Sequence, residues 1–160
     1  FEQELYFGAD DSYFELDVSF NWKLAVENYC EAYHLPFVHP NLNSYSRLED
    51  HYNILDDASY AGQGGNMYAA QISDERQQLS KFRGLSEKWN KAAEYCAFFP
   101  NVLYGVHKDH IFAIILLPKG QETTIERIAF YYADAQMVSA DYPLMRAKNV
   151  DVERCVFGRY

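Results

Sequence analysis

Apolar and polar residues alternate from Tyr13 to Phe20, with Phe14, Leu16, Val18 and Phe20 on one side and Glu15, Asp17 and Ser19 on the other. That is the period of a half-buried strand. From Asn21 the period lengthens. Trp22, Ala25, Val26, Tyr29 and Tyr33 recur at helical spacing, which predicts a helix capped by Ser19 or Asn21 and ended by Pro36 and Pro40. Asn41–Ser46 reads as turn, His51–Leu55 as a short strand, and the glycines of Ala61–Asn66 as a mobile loop near a pocket mouth. Gln71–Asn90 is polar and reads as part helix. Glu94–Phe99, Val102–Val106, His110–Leu117 and Thr123–Tyr132 read as strands, with turns at Pro100-Asn101 and Lys108-Asp109. A last helix is expected from about Asp141 toward Cys155. Strand, helix, several antiparallel strands and a final helix give an α+β fold, a curved sheet with helices packed on it and a ligand cavity between them.

At 160 residues the chain is expected to form one domain, 1–160. Tyr and Phe number 14 and 11, enough aromatic surface for a packed core. The net charge of −9 disfavours a nucleic-acid partner, which needs a basic face. No apolar run reaches membrane-spanning length, so neither a membrane nor a nucleic acid is expected as partner. Cys30, Cys96 and Cys155 are odd in number and widely spaced, as expected of buried free thiols in a reducing cytoplasm. None forms a CxxC or CxH pair, so the chain brings no iron–sulfur ligands of its own. Phe1 is not a natural start, and the chain reads as a fragment.

The candidate chemistry lies in Asn21–Leu42, NWKLAVENYCEAYHLPFVHPNL. Asn28, Glu31 and His34 are spaced by three and would share one face of a continued helix. His34 and His39 are five apart, which on an unbroken helix places them roughly 140° apart. Pro36 lies between them, and a break there turns His39 back toward His34. Two neutral imidazoles meeting at one point suit a first-row metal such as iron or zinc. Taken alone, such a pair also serves as a helix cap or bonds to the backbone. Ser44 and Ser46 lack a convincing partner base for a hydrolase triad. His51, His107 and His110 read as surface or strand histidines, and Phe37, Phe99 and Tyr104 as candidate cavity residues.

ENYCEAYHLPFVHP, preceded by NWK, resembles the iron-binding signature of Rieske-type aromatic-ring-hydroxylating oxygenase α subunits, in their C-terminal catalytic domain. FFPNV (Phe98–Val102) and PKGQETTIER (Pro118–Arg127) resemble later strands of the same family, so the likeness covers nearly the whole chain. It implies a helix-grip (SRPBCC/START-like) antiparallel sheet wrapped around a long helix with a ligand cavity. It implies that His34 and His39 ligate a mononuclear non-haem Fe(II). Glu31 would link this iron to the Rieske [2Fe–2S] cluster of a neighbouring subunit, Asn28 would stand near the iron, and Tyr33 would pack. A Rieske domain would precede this one in a homotrimer. Electrons would come from NAD(P)H through a reductase and ferredoxin, and O₂ would oxidise a small organic substrate. That substrate would be an aromatic to be hydroxylated or an amine to be demethylated, and Glu31 leans slightly toward the amine.

The family's third ligand is an acidic residue on the C-terminal helix. Arg159-Tyr160 stand where an acidic pair is expected, so the ligand lies beyond Tyr160, or Asp151 serves in a shifted alignment. The fragment alone is then expected to be inactive. Two other classes stay open: a non-catalytic ligand-binding domain of the same shape, and a zinc hydrolase using the same histidines.

Overall fold

A computed structural model of the chain describes residues 3–56, 59–68, 79–139, 146–147 and 150–151. The alternating segments become eight strands of one antiparallel sheet: β1 (Tyr6–Phe7), β2 (Tyr13–Val18), β3 (His51–Leu55), β4 (Tyr60–Gly65), β5 (Ala93–Phe98), β6 (Val102–Val106), β7 (His110–Pro118) and β8 (Thr124–Tyr132). Their order is β1-β8-β7-β6-β5-β4-β3, with β2 also paired to β8. Successive strands from β3 to β8 are neighbours, as short connections favour. This is the expected antiparallel helix-grip sheet.

Register decides what the sheet presents inward. Leu16 pairs with Glu126, Leu116 with Glu126, Phe112 with Phe130, Leu103 with Ile114 and Ala97 with Leu103. Because side chains alternate along a strand, these residues share one face, and α1 (Trp22–Tyr29) packs on it through buried Ala25 and Tyr29. Asn21 caps α1 by accepting from the Lys23 N–H at 3.1 Å, while its own amide donates to the Gln121 carbonyl. Thr124 Oγ1 donates to the Phe20 carbonyl, so the helix start is pinned to the β7–β8 hairpin. Buried Arg146 donates to both oxygens of Asp11 and to the carbonyls of Met137 and Ser139, tying the C-terminal helical residues to the turn before β2.

Three expectations change. Helix α1 stops at Tyr29 instead of running to Tyr33, and with eight residues it is the longest helix among the described residues. Tyr33, expected to pack, is 70% exposed, because it lies in the turn that follows. The glycine cluster is strand β4, not a loop. A Cβ at Gly62 would stand 2.0 Å from the Tyr95 carbonyl oxygen, and the Tyr52 ring covers Gly64 from the paired strand. Here glycine marks close approach inside a sheet. Residues 71–78 and most of the expected last helix fall outside the described residues; 146–147 and 150–151 are helical. No helix among the described residues is long and apolar enough to cross a membrane.

Glu126 sits on the inner face, 1% exposed, with neither carboxylate oxygen hydrogen-bonded among the described residues. Burial pushes its carboxyl up to about 7. The folded state therefore holds a proton that the unfolded chain releases near the ordinary carboxylate range, and stability falls as pH rises through that window. Replacing Glu126→Leu should stabilise the protein by on the order of 3 kcal/mol at about pH 8 and by much less near pH 5. Thermal melts at the two pH values decide it; an equal gain at both would contradict the buried-charge account.

Candidate metal centre

After Tyr29 the chain leaves the helix, and two amino-acid side chains organise the turn. The Glu31 carboxylate accepts from the Tyr33 N–H and, at 3.3 Å, from the His34 N–H, capping the next turn. Gln63, 6% exposed on β4, donates its amide to the carbonyls of Glu31 (2.6 Å) and Tyr29 (3.3 Å). These carbonyls are left open where a helix ends. Pro36 and Pro40 then start helices as much as they stop one. They occupy the first turns of α2 (Leu35–Val38) and α3 (Pro40–Asn43), where a missing N–H costs nothing.

His34 and His39 flank the single turn of α2, at its N-cap and C-cap positions. Asn28, Glu31 and His34 therefore do not share the face of one continuous helix, as their spacing predicts; the chain break replaces that face. The imidazole rings stand 5.2 Å apart between centroids at 80°. A metal lies near the plane of each imidazole that binds it, and planes crossing at this angle meet close to both rings. Glu31 Oε1 lies 2.5 Å from His34 Nδ1, which donates to it. That leaves the His34 Nε2 lone pair for an ion and fixes the ring's orientation. His39 is 5% exposed and His34 is half-buried. Two imidazoles, one steadied by a carboxylate, are a donor set that fits a first-row divalent metal.

Asn28 and Glu31 line an open groove of about 620 Å³ together with Phe20, Leu24 and Val38. Asp151 is exposed. Among the described residues no three His, Cys, Asp or Glu side chains converge as a ligand set. Phe37, expected at a cavity, is 85% exposed, and Leu35 takes the buried position of α2; Phe99, just past the last residue of β5, lines a groove with Val26, Cys30, Tyr60 and Pro100. Cys30 and Cys96 are free and half-buried, and burial raises the Cys96 thiol to about 11.

Sequence reasoning missed the scaffold below the turn. Gln63 Oε1 accepts from His51 Nδ1 at 2.7 Å, and His51 Nε2 accepts from Ser46 Oγ at 3.0 Å. The two carbonyls that hold the Gln63 amide set the direction of the whole relay. Ser46 thus does have a histidine partner, contrary to the sequence reading. At 2% exposure its hydroxyl is sealed in the core, a structural element and not a nucleophile. Reading β4 as a strand would have found the relay, because Gln63 then faces inward and lies near His51 on β3.

The profile of one protein family, ring hydroxylating alpha subunit (catalytic domain), matches residues 8–156. Among curated proteins no sequence match is found. Solved structures with the same fold include the quaternary ammonium Rieske monooxygenase CntA with an inhibitor, at TM-score 0.66 and 18% identity over 96% of this chain and 36% of that one. CntA with L-carnitine matches at TM-score 0.63 and 17% identity, over 96% and 34% of the two chains. Naphthalene 1,2-dioxygenase from Rhodococcus sp. matches at TM-score 0.55 and 13% identity, over 89% and 38%. The chain spans little more than a third of the length of these proteins.

Changing Gln63→Leu removes the donor to two carbonyls and the acceptor for His51. It should cost about 1–3 kcal/mol of stability. Chemical denaturation measures this, and a loss below about 0.5 kcal/mol, the range of ordinary surface changes, would contradict the relay's role.

Proposed function

Because the chain belongs to the catalytic-domain family of ring-hydroxylating oxygenase α subunits, we propose that it is the mononuclear-iron half of an O₂-dependent oxygenase acting on a small organic substrate. The observation that carries this is the crossed pair His34 and His39, with Glu31 holding His34 Nδ1. His34 and His39 would hold Fe(II). A carboxylate beyond Tyr160, or Asp151, would complete the set. Bound there, the iron supplies O₂ activation, with open coordination positions beside a two-histidine, one-carboxylate site.

The chain's own residues bind and position. Glu31 fixes the tautomer of His34 and raises its basicity. Its side chain is still 31% exposed, so it also stands where a neighbouring subunit can reach it. We assign it the contact with that subunit's Rieske [2Fe–2S] cluster in a homotrimer, fed from NAD(P)H through a reductase and ferredoxin. Asn28 lines the same groove as Glu31, and we assign it a place near the iron. The substrate is an aromatic to be hydroxylated or an amine to be oxidised, chemistries named for naphthalene dioxygenase and the quaternary ammonium monooxygenase. The protein is expected to act in the cytoplasm.

The test is anaerobic Fe(II) loading of the full-length protein beside His34→Ala, His39→Ala and Glu31→Ala variants. The parent should hold about one iron per chain beyond the cluster, and the histidine variants none. Glu31→Ala should weaken iron about 10–100-fold while leaving the fold intact by circular dichroism. A folded parent without this iron would leave a non-catalytic ligand-binding domain of the same shape as the reading.

A further inference from the structure

His34 and His39 stand at the two ends of α2, a helix of one turn, and α3 begins directly after His39. Helices this short do not hold their shape or place unaided. The segment that carries the pair therefore takes its position from outside, and side-chain hydrogen bonds from one hairpin, β3–β4, reach it on both flanks. Before His34, Gln63 of β4 donates to the carbonyls of Tyr29 and Glu31 at 3.3 and 2.6 Å. Beyond α3, Ser46 Oγ donates to Nε2 of His51, the first residue of β3, at 3.0 Å. That second hold passes back to the pair through the backbone. The Ser46 N–H donates to the Leu42 carbonyl, and the Asn43 N–H donates to the His39 carbonyl, each at 2.9 Å.

His51 joins the two holds. Its Nδ1 donates to Gln63 Oε1 at 2.7 Å while its Nε2 takes the Ser46 proton. The sheet register makes this contact possible. His51 pairs with Gly65, and Gln63 lies two positions along the same strand, so both side chains stand on one face. Ser46 and Gln63 are 2% and 6% exposed, so water does not replace a lost partner, and breaking one link leaves a neighbouring polar group unsatisfied. The glutamine, the imidazole and the hydroxyl thus act as one unit. A metal centre holds its ligands to within about 0.5 Å of the productive geometry, so a unit that fixes both flanks bears directly on whether two imidazoles meet.

We propose that His51 is a positioning residue for the metal centre: through Gln63 and Ser46 it clamps the chain before His34 and after His39 to one hairpin and so sets the separation of the two imidazoles. His51 itself touches neither metal nor substrate. The link to iron rests on the oxygenase reading; the clamp, read as the separation of the two rings, does not.

His51→Phe keeps a ring in place and removes both hydrogen bonds. In the full-length protein, anaerobic Fe(II) titration against a competing chelator should find iron held about tenfold or more weakly in this variant, as for other groups that orient a ligand from behind. His51→Asn returns an N–H donor to Gln63 and should recover part of the loss. Ile128→Val thins the core on β8 without touching the clamp and should hold iron as the parent does, which separates positioning from lost stability. Crystals of the metal-free protein give the second reading: the His34 and His39 rings, 5.2 Å apart between centroids, should separate further in His51→Phe. Rings unmoved in that variant, iron held equally by it and the parent, no recovery in His51→Asn, or equal weakening by Ile128→Val would overturn the proposal. A parent that takes up no iron while the rings separate in His51→Phe removes the oxygenase and keeps the clamp; iron held equally by both proteins does the reverse.

Discussion

No continuous helix brings residues 34 and 39 to one point, and the site depends on how the chain breaks between them. The break needs two things at once. The carbonyls freed at the end of α1 must find donors, and the new turn must find a cap. Gln63 supplies the first from β4, and Glu31 supplies the second from within the turn. The two prolines then start the short helices on either side of His39. The carboxylate that caps the turn also holds the His34 ring, so one side chain shapes the backbone and orients an imidazole.

The sheet explains why this arrangement holds. Its inner face carries the apolar core, Phe112, Ile114, Leu116, Ile128 and Phe130, against which α1 lies. It also carries polar groups: Gln63, His107, His110 and Glu126. Gln63 is satisfied and sets a direction for the Ser46–His51 relay. The buried Nε2 atoms of His107 and His110 and the Glu126 carboxylate have no partner among the described residues, and such groups cost stability unless something uses them. The two histidine pairs differ in geometry: the planes of His34 and His39 cross, and those of His107 and His110 stack.

Much of this was legible in the sequence. Alternation placed β2, β3 and β5–β8 within a residue or two, because each has one wet and one buried face. The break between His34 and His39 was legible in the sequence because Pro36 lies between them, and the structure places the two residues on either side of the short α2 turn. The length of α1 was not. Helical spacing continues to Tyr33, but the carbonyls of Tyr29 and Glu31 are held by a strand about thirty residues away, and no local pattern reports that. Strand β4 was hidden for a related reason: its glycines make room for Tyr95 and Tyr52, contacts that exist only across the sheet. His107 and His110 read as surface or strand histidines; His110 does open β7, and that both are buried was not legible, because a histidine in a strand carries no mark of its face until the register is known.

The most direct measurement is X-ray absorption at the iron edge of the full-length protein, stripped of any bound iron and reloaded with Fe(II). Scattering from two imidazole ligands on oxygen-coordinated iron is the expected result, falling to one in His39→Ala. Iron with no imidazole shell, or with the same shell in that variant, would contradict the claim that His34 and His39 meet at one metal.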